Sequence, residues 1–247
     1  MLEYILLGVV QGLTEFLPVS SSGHLAILGK IFGLGTEAVA VSVVLHLGTC
    51  LALVLFFVKD IVKLFRTLEL LIFIFVVTLI TGIIGLGGKH FFEALFTSAQ
   101  AVGIGWAITG VVLLSTARNK AGRREIVGIV DALILGLTQG LAIAPGVSRS
   151  GITIATLLFR KMDWESSFRL SFLAAIPAIF GATFLEAKEI HSALQVHAPV
   201  LAAGFIASFV SGLLALWILK NVMRKAKLHI FGYYCIIIAI LTLVFIR

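Results

Sequence analysis

The sequence predicts an all-α polytopic membrane protein built as an inverted-topology repeat, each half a re-entrant helical hairpin plus three transmembrane helices. Its residues are 60% hydrophobic and only 13% charged, whereas soluble domains have about 25% charged residues. Six long apolar segments and a motif that recurs after 128 residues complete the pattern. We expect a single membrane domain over 1–247, with repeat 1 at about 1–117 and repeat 2 at about 127–247.

Six segments are long and apolar enough to cross a bilayer as helices, since a span needs roughly 20 residues. Most Lys and Arg residues lie in the short loops between these segments. The predicted spans, three in each half, are 38–58, 69–88, 98–117, 165–186, 198–219 and 229–246.

Two further apolar segments, 1–34 and 127–159, are interrupted in the middle by Pro18 and Pro145. Proline ends a helix because it lacks an N–H donor and clashes with the preceding turn, and the serines that follow can cap a new helix. Each arm of about 15 residues is roughly 22 Å long, too short to cross the hydrocarbon core alone. We therefore expect re-entrant hairpins with their tips near mid-membrane, where protein or a wet cavity surrounds the irregular backbone.

The two hairpins are copies of one another, because subtracting 128 aligns their sequences without a gap. Three spans in each half is an odd number, so the second half is inverted relative to the first. The tips then enter the membrane from opposite faces and can meet near its midplane. The identical pairs are Gly8/Gly136, Gln11/Gln139, Gly12/Gly140, Leu13/Leu141, Val19/Val147, Ser20/Ser148, Ser22/Ser150 and Gly23/Gly151.

The basic residues predict how the chain is oriented. Thirteen Lys and Arg residues lie on one predicted face and four on the other, and cytoplasmic loops carry such an excess. Both termini are therefore expected to lie outside. The net charge of +7 does not indicate nucleic acid, because the basic residues are spread over these loops. The two cysteines lie inside apolar segments and are interpreted as small buried residues, not as a disulfide or a metal site.

The first helix of the first hairpin is predicted to have one polar face and one glycine face. Gln11 and Glu15 are four residues apart and share one face. A carboxylate inside a membrane is by default functional, and a satisfied structural group is the alternative. Gly8 and Gly12 have the same spacing, which predicts that another helix approaches this hairpin closely.

Each hairpin tip carries serines where its second helix is predicted to begin, at residues 20–22 and 148–150. Free backbone N–H groups, the helix dipole and hydroxyls at such a position suit an anion, above all phosphate. Arg149 adds a bidentate ligand for an oxyanion. For either tip alone, a helix start that is merely capped is the alternative.

The two copies differ in their charged residues, and this difference predicts one composite site. Glu15 aligns with Ile143, and Arg149 aligns with Ser21. Symmetric residues would serve two purely structural tips equally well. A buried Arg149 needs a counter-charge, which Glu15 together with a phosphate or a metal-bound phosphate can supply.

His24 also breaks the repeat, since Ile152 is its counterpart. A histidine beside the serine tip can act as a general acid or base near neutral pH. The alternative is a histidine hydrogen-bonded within the bundle. The other five histidines show no ligand spacing, and we interpret His46 as buried packing.

These motifs resemble a known family, the bacterial undecaprenyl-diphosphate phosphatases of the bacitracin-resistance type. The two stretches that carry the resemblance are QGLTEFLPVSSSGH at 11–24 and PGVSRSGIT at 145–153. Two shorter stretches, LHLGT at 45–49 and SFLAAIP at 171–177, are also similar to that family. The resemblance extends over the whole chain.

The resemblance implies hydrolysis of undecaprenyl diphosphate to undecaprenyl phosphate and inorganic phosphate. This reaction recycles the lipid carrier of cell-wall synthesis at the plasma membrane and can protect against bacitracin. It also implies a divalent cation, Mg²⁺ or Ca²⁺, which Glu15 would hold. We further expect the site between the tips to open to the outer face. The expected partner is a polyprenyl diphosphate lipid in the membrane, while a homodimer is left open and no nucleic acid is expected.

By motif match, the resemblance also assigns roles to single residues. The positions treated as catalytic are Glu15, Ser21, His24 and Arg149. The positions expected to contact substrate phosphate are Ser20, Ser22, Ser148, Ser150, Thr153 and Gln11. Gln11 stands where the family has Glu or Gln, so this chain lacks one carboxylate that would be available to a metal.

Two questions stay open at the level of sequence. Ser21 can attack as a nucleophile through a phosphoserine, with His24 as its acid or base, or a cation-bound water can attack directly. The chief alternative function is a secondary transporter or lipid flippase with an anion site at the hairpin tips. Inverted repeats with broken helices at the midplane are typical of transporters.

The predicted orientation can be tested by labelling. We expect the cysteine of Ala226→Cys to react with an impermeant maleimide only after the cells are opened, because its loop lies on the basic, cytoplasmic side. Lys89→Cys, on the opposite face, should react in intact cells. Labelling of Ala226→Cys in intact cells would contradict the orientation.

Overall fold

We describe the fold from a computed structural model that covers residues 1–33, 38–118, 122–125, 127–185 and 187–246, with only the helical backbone given for 38 and 187–197. The described residues form helices, with one isolated β-bridge between Arg124 and Met162. The helices are α1 Leu2–Phe16, α2 Ser21–Ile31, α3 Ala38–Phe56, α4 Val58–Leu64, α5 Leu68–Gly87, α6 Lys89–Phe96, α7 Ala99–Ser115, α8 Ile129–Leu141, α9 Arg149–Phe159, α10 Trp164–Leu185, α11 Ala187–Arg224 and α12 Ile230–Phe245, and a 3₁₀ turn over Thr116–Arg118 follows α7.

Five helices among the described residues are long and apolar enough to cross a membrane, namely α3, α5, α7, α10 and α11. The predicted all-α polytopic membrane fold is therefore confirmed. One predicted span differs clearly in length. Helix α11, predicted as 198–219, continues over 38 residues. Helix α12, predicted as 229–246, agrees to within one residue at each end, and its 16 residues form about 24 Å of helix.

Both predicted hairpins are present. In the first, α1 packs against α2 across a break at residues 17–20, and in the second α8 packs against α9 across residues 142–148. Each second helix begins after a capping serine, as predicted. Ser20 Oγ accepts from Gly23 N–H at 3.4 Å, and Ser148 Oγ accepts from Gly151 N–H at 3.2 Å.

The two halves pack against each other reciprocally. Helix α1 of the first hairpin lies against α11, and α8 of the second hairpin lies against α5. Each hairpin therefore contacts the second long helix of the other half, and α7 pairs with α12, the last helix of each half. This reciprocity is what an inverted repeat requires, and the opposite orientation of the halves in the membrane stays a prediction.

Glycine faces allow the hairpins to approach these helices, as predicted for Gly8 and Gly12. A Cβ at Gly8 would overlap the Gly204 carbonyl of α11, and one at Gly12 would lie 2.5 Å from the Ser208 carbonyl oxygen. In the second hairpin, Gly140 faces the side chain of Ile84 on α5. The first hairpin lies closer to α11 than the second does to α5, because backbone faces backbone only in the contact with α11.

Helix α7 supports both hairpin tips. Trp106 Nε1 donates to the Val19 carbonyl at 2.8 Å in the first tip. Thr109 Oγ1 donates to the Gly146 carbonyl at 3.2 Å and accepts from Ser148 N–H at 2.9 Å in the second. Gly146 has a φ of 82°, and a Cβ there would overlap the Val102 carbonyl oxygen. One rigid helix thus fixes the positions of the two breaks relative to each other.

A buried ion cluster holds the base of the second hairpin. Asp131, in the first turn of α8, is 1% exposed and contacts two guanidinium groups. Arg124 binds its two oxygens at 2.7 and 2.8 Å, and Arg160 Nε binds Oδ1 at 2.8 Å. The counterpart of Asp131 in the first hairpin is Glu3, which is exposed. The ion cluster therefore belongs to one hairpin only.

Replacing Gly12 tests the packing of α1 on α11. We expect Gly12→Ala to lower the free energy of unfolding by about 1 to 3 kcal/mol, because the added methyl group overpacks a backbone contact. SDS titration in mixed micelles measures this. Gly82→Ala is the matched control, since a Cβ at that helical position meets nothing within 4 Å. Equal effects of the two substitutions would contradict the proposed close packing.

Candidate active site

The two hairpin tips meet through an ion pair. Glu15 lies in the last turn of α1, and Arg149 is the first residue of α9. Arg149 Nη2 donates to Glu15 Oε1, and the two side chains are 17% and 6% exposed. The sequence predicted this contact between an acid in one copy and a base in the other, and the structure confirms it.

The second oxygen of Glu15 collects the polar groups of the first hairpin. Ser21 Oγ donates to Glu15 Oε2 at 2.6 Å, and Gln11 Nε2 donates to the same oxygen at 3.2 Å. Gln11 reaches it because it lies one turn earlier on the same face of α1. Ser21 reaches it because the break at residues 17–20 folds α2 back beside α1. A serine hydroxyl bonded to a carboxylate can lose its proton to that carboxylate.

Two polar atoms of this group have no hydrogen-bond partner in the described part of the chain. They are Arg149 Nη1 and Gln11 Oε1, and both are buried. An unpaired polar atom in a buried site costs free energy. An oxyanion would satisfy the guanidinium nitrogen, and a cation or a donor would satisfy the amide oxygen.

The serine clusters form the same arrangement in both tips. Ser20 Oγ lies 3.2 Å from Ser22 Oγ, and Ser148 Oγ lies 3.3 Å from Ser150 Oγ. The first N–H groups of α2 and α9 have no acceptor within their own helices. Four hydroxyls and two helix N-termini thus lie next to the Glu15–Arg149 pair, a setting suited to phosphate.

Thr153 was predicted to contact substrate phosphate, but its hydroxyl is bonded to other protein groups. It is fully buried, with a relative exposure of 0%. Its Oγ1 shares a hydrogen bond of 2.6 Å with Ser171 Oγ and donates to the Arg149 carbonyl at 2.8 Å. Thr153 therefore ties the start of α9, and with it Arg149, to α10.

His24 lies on the other side of its helix start, away from the Ser21–Glu15 bond. Its Nδ1 is 2.7 Å from the Ser20 carbonyl, and its Nε2 is 2.6 Å from the Tyr234 hydroxyl. The imidazole stacks on Tyr234 and meets Trp106 edge-on. Both ring nitrogens are engaged, so the alternative of a histidine hydrogen-bonded within the bundle describes this geometry.

The prediction for His46 as buried packing is wrong. His46 lies on α3, its side chain is 28% exposed, and its Nε2 is 3.5 Å from Glu15 Oε2. Its Nδ1 is 2.7 Å from the Ser42 carbonyl. The stretch LHLGT at 45–49 was a usable signal, because it places a polar ring in an apolar helix. Its contact with Glu15 depends on how α3 packs against α1, which the stretch does not specify.

Comparison with known proteins shows the family of this chain. The profile of the family described as bacitracin resistance protein BacA matches residues 4–241. The chain belongs to this family. The match covers both hairpins and therefore every residue of the composite site.

Three relatives that match nearly the whole chain carry the same name. A protein of Carboxydothermus hydrogenoformans, named undecaprenyl-diphosphatase, is 40% identical over 98% of this chain and 96% of its own. Proteins with the same name from Alkaliphilus metalliredigens and Syntrophotalea carbinolica are 40% and 42% identical, over 93% and 95% of this chain and 93% and 94% of their own. The similarity thus spans both repeats in each case.

The ion pair can be tested by its effect on stability. Glu15→Gln or Arg149→Gln alone should lower the free energy of unfolding by about 3 to 5 kcal/mol, because each leaves a buried charge without its partner. The double substitution should lower the free energy of unfolding by clearly less than the sum of the two single losses, as measured by SDS titration. Strict additivity would contradict direct contact between the tips.

Proposed function

We propose that this chain hydrolyses a polyprenyl diphosphate, undecaprenyl diphosphate above all, to the lipid monophosphate and inorganic phosphate. The observation that carries the proposal is the Glu15–Arg149 contact, which joins a serine bonded to a carboxylate with a guanidinium that has a free nitrogen. The name shared by relatives at about 40% identity supports the same reaction. The product renews the lipid carrier for cell-wall synthesis.

Substrate recognition depends on the charge of the diphosphate. Arg149 Nη1 binds a terminal phosphate oxygen, since a buried guanidinium prefers an oxyanion partner. The hydroxyls of the two serine clusters, Ser20, Ser22, Ser148 and Ser150, donate to the remaining oxygens. The many apolar side chains exposed on the outside of the bundle leave the isoprenoid tail in lipid.

The chemical step begins at Ser21. Its Oγ attacks the terminal phosphorus, the bond from that phosphorus to the bridging oxygen breaks, and the lipid monophosphate leaves. Glu15 Oε2 accepts the hydroxyl proton over the 2.6 Å hydrogen bond. Phosphate bound at Arg149 Nη1 shares the positive charge of the guanidinium, which stays on Glu15 through Nη2, so the carboxylate is less strongly neutralised and is a better base. Water then attacks the phosphoserine, the bond from phosphorus to Ser21 Oγ breaks, and the proton held by Glu15 returns to Oγ as inorganic phosphate leaves.

Glu15, and not His24, is the base in this proposal. Both nitrogens of His24 are engaged by Ser20 and Tyr234. His24 instead orients the Ser20 carbonyl and thereby the start of α2. The competing route, direct attack by water with Ser21 as a hydrogen-bond donor only, requires Glu15 as base as well. Accumulation of phosphoserine at Ser21 in a rapidly quenched reaction distinguishes the two routes.

The site fits a divalent cation that is shared with the substrate. The described residues contain no group of three or more His, Cys, Asp or Glu side chains that would form a metal site alone. Glu15 and the unpaired Gln11 Oε1 would hold the ion from the protein side, because Mg²⁺ is usually bound by one or two carboxylates and substrate phosphates. When bound, the ion neutralises charge on the phosphate oxygens.

The orientation is part of the proposal. The excess of basic residues on one predicted face supports a cytoplasmic position for the loops around Arg66 and Arg224. Both termini then lie outside, and the site between the tips opens to the outer face of the plasma membrane. A secondary transporter or flippase would use the same reciprocal packing. The carboxylate-bonded serine favours hydrolysis, since transport has no need of a nucleophile.

Phosphate release from undecaprenyl diphosphate in detergent tests the function. We expect Ser21→Ala and Arg149→Lys to lower kcat by about 100-fold or more, because they remove the nucleophile and the bidentate phosphate ligand. Ser115→Ala is the matched control, since its exposed hydroxyl bonds only within α7.

The wild-type protein and the control should release phosphate at equal rates. Absence of release by the wild type, together with uptake or lipid movement in proteoliposomes, would favour the transporter. Substantial turnover by Ser21→Ala would support attack by water, and turnover by Arg149→Lys at the wild-type rate would contradict the assignment of the site.

A further inference from the structure

His46 is a polar side chain of the site to which the proposed reaction gives no task. It approaches Glu15 from α3 and faces one carboxylate oxygen, while Arg149 binds the other. Its Nε2 lies 3.5 Å from Glu15 Oε2, while Arg149 binds Oε1. Glu15, His46 and Arg149 therefore meet at this point.

The orientation of the imidazole is fixed by its other nitrogen. Nδ1 lies 2.7 Å from the Ser42 carbonyl oxygen, so Nδ1 carries a hydrogen and donates it. In the neutral ring Nε2 then presents a lone pair to the carboxylate oxygen of Glu15. Two acceptors that face each other repel unless a positive species lies between them. Either a second ring proton or a cation meets this condition.

The surrounding atoms favour the cation. A histidine that ligates a metal almost always donates its other ring N–H to a carbonyl or carboxylate, as His46 does to Ser42. Neighbouring ligand atoms around a cation with bonds of about 2.1 Å are about 3.0 to 3.5 Å apart. The separation of 3.5 Å between His46 Nε2 and Glu15 Oε2 meets this requirement.

Gln11 offers the third ligand. Its Nε2 lies 3.2 Å from Glu15 Oε2, and its Oε1 is buried without a partner. Half a turn about the last side-chain bond exchanges the two ends of the amide, which brings the oxygen beside the carboxylate. Gln11 is thus the residue whose unsatisfied atom a cation would satisfy.

We propose that His46 Nε2, Glu15 Oε2 and the Gln11 amide oxygen bind one divalent cation, and that the nitrogen ligand makes the site favour Mn²⁺ over Ca²⁺. Calcium takes oxygen ligands almost exclusively, whereas first-row ions accept imidazole. The proposal shares its site with the proposed hydrolysis and rests on that function only for the use of the ion. The diphosphate completes the coordination and offsets the charge of Arg149.

Electron spin echo spectroscopy of bound Mn²⁺ tests this assignment without reference to turnover. The purified protein in detergent is loaded with Mn²⁺, with and without methylenediphosphonate as a stable diphosphate. We expect a nitrogen modulation from one imidazole that changes when histidine is labelled with ¹⁵N. In His46→Gln the modulation should vanish and the Kd for Mn²⁺ should rise at least about tenfold, since even second-shell partners are worth this much.

His90→Gln is the matched control, because its side chain is fully exposed, and it should bind Mn²⁺ as the wild type does. Mn²⁺ bound without nitrogen modulation in the wild type, or no Mn²⁺ bound in either sample, would overturn the assignment and leave the imidazolium as the bridging species. Phosphate release is measured in parallel. Phosphate release without the nitrogen modulation would contradict only the assignment of His46 as a metal ligand. Nitrogen modulation without phosphate release would contradict only the proposed hydrolysis.

Discussion

The buried ion pair between Glu15 and Arg149 is the interaction on which the site depends. Each charge comes from a different hairpin, and burying either one alone would be strongly destabilising. The pair therefore holds the two tips together and also assembles the chemistry. One oxygen of Glu15 is bound by Arg149, and the other is bound by Ser21 and Gln11. The carboxylate is thus the single point at which both repeats contribute to one site.

The rest of the bundle keeps this contact in place by two different means. The first hairpin is held by packing, since Gly8 and Gly12 bring its backbone against α11. The second hairpin is in addition fixed at its base by the Asp131 cluster, whereas an exposed Glu3 stands at the equivalent position of the first. Helix α7 then supports both tips from one side. The carboxylate and Ser21 lie on the closely packed hairpin, while the phosphate-binding arginine lies on the hairpin that the ion cluster anchors.

Much of this arrangement could be predicted from the sequence, because the repeat itself carries the information. Two proline breaks with capping serines predicted the hairpins, and opposite charges at unmatched positions, Glu15 and Arg149, predicted the contact between tips. The partners of His24 and His46 could not be predicted. They depend on how α12 and α3 rotate against the hairpins, and helices as uniformly apolar as these do not specify a rotation. The ends of α11 were also missed, since apolar runs do not show where a helix stops.

The most direct test of the composite site is a disulfide between the tips. A Cβ at position 151 would lie 3.1 Å from the Cβ of Pro18, close to the separation of about 3.5 to 4.5 Å in disulfides. Pro18→Cys/Gly151→Cys, with Cys50 and Cys235 replaced by Ala and a protease site between the repeats, should cross-link on mild oxidation. The two halves should then stay together on a non-reducing gel after cleavage, whereas Pro18→Cys/Gly82→Cys should separate. Separation of the halves in the first variant would contradict a site shared by the two hairpins.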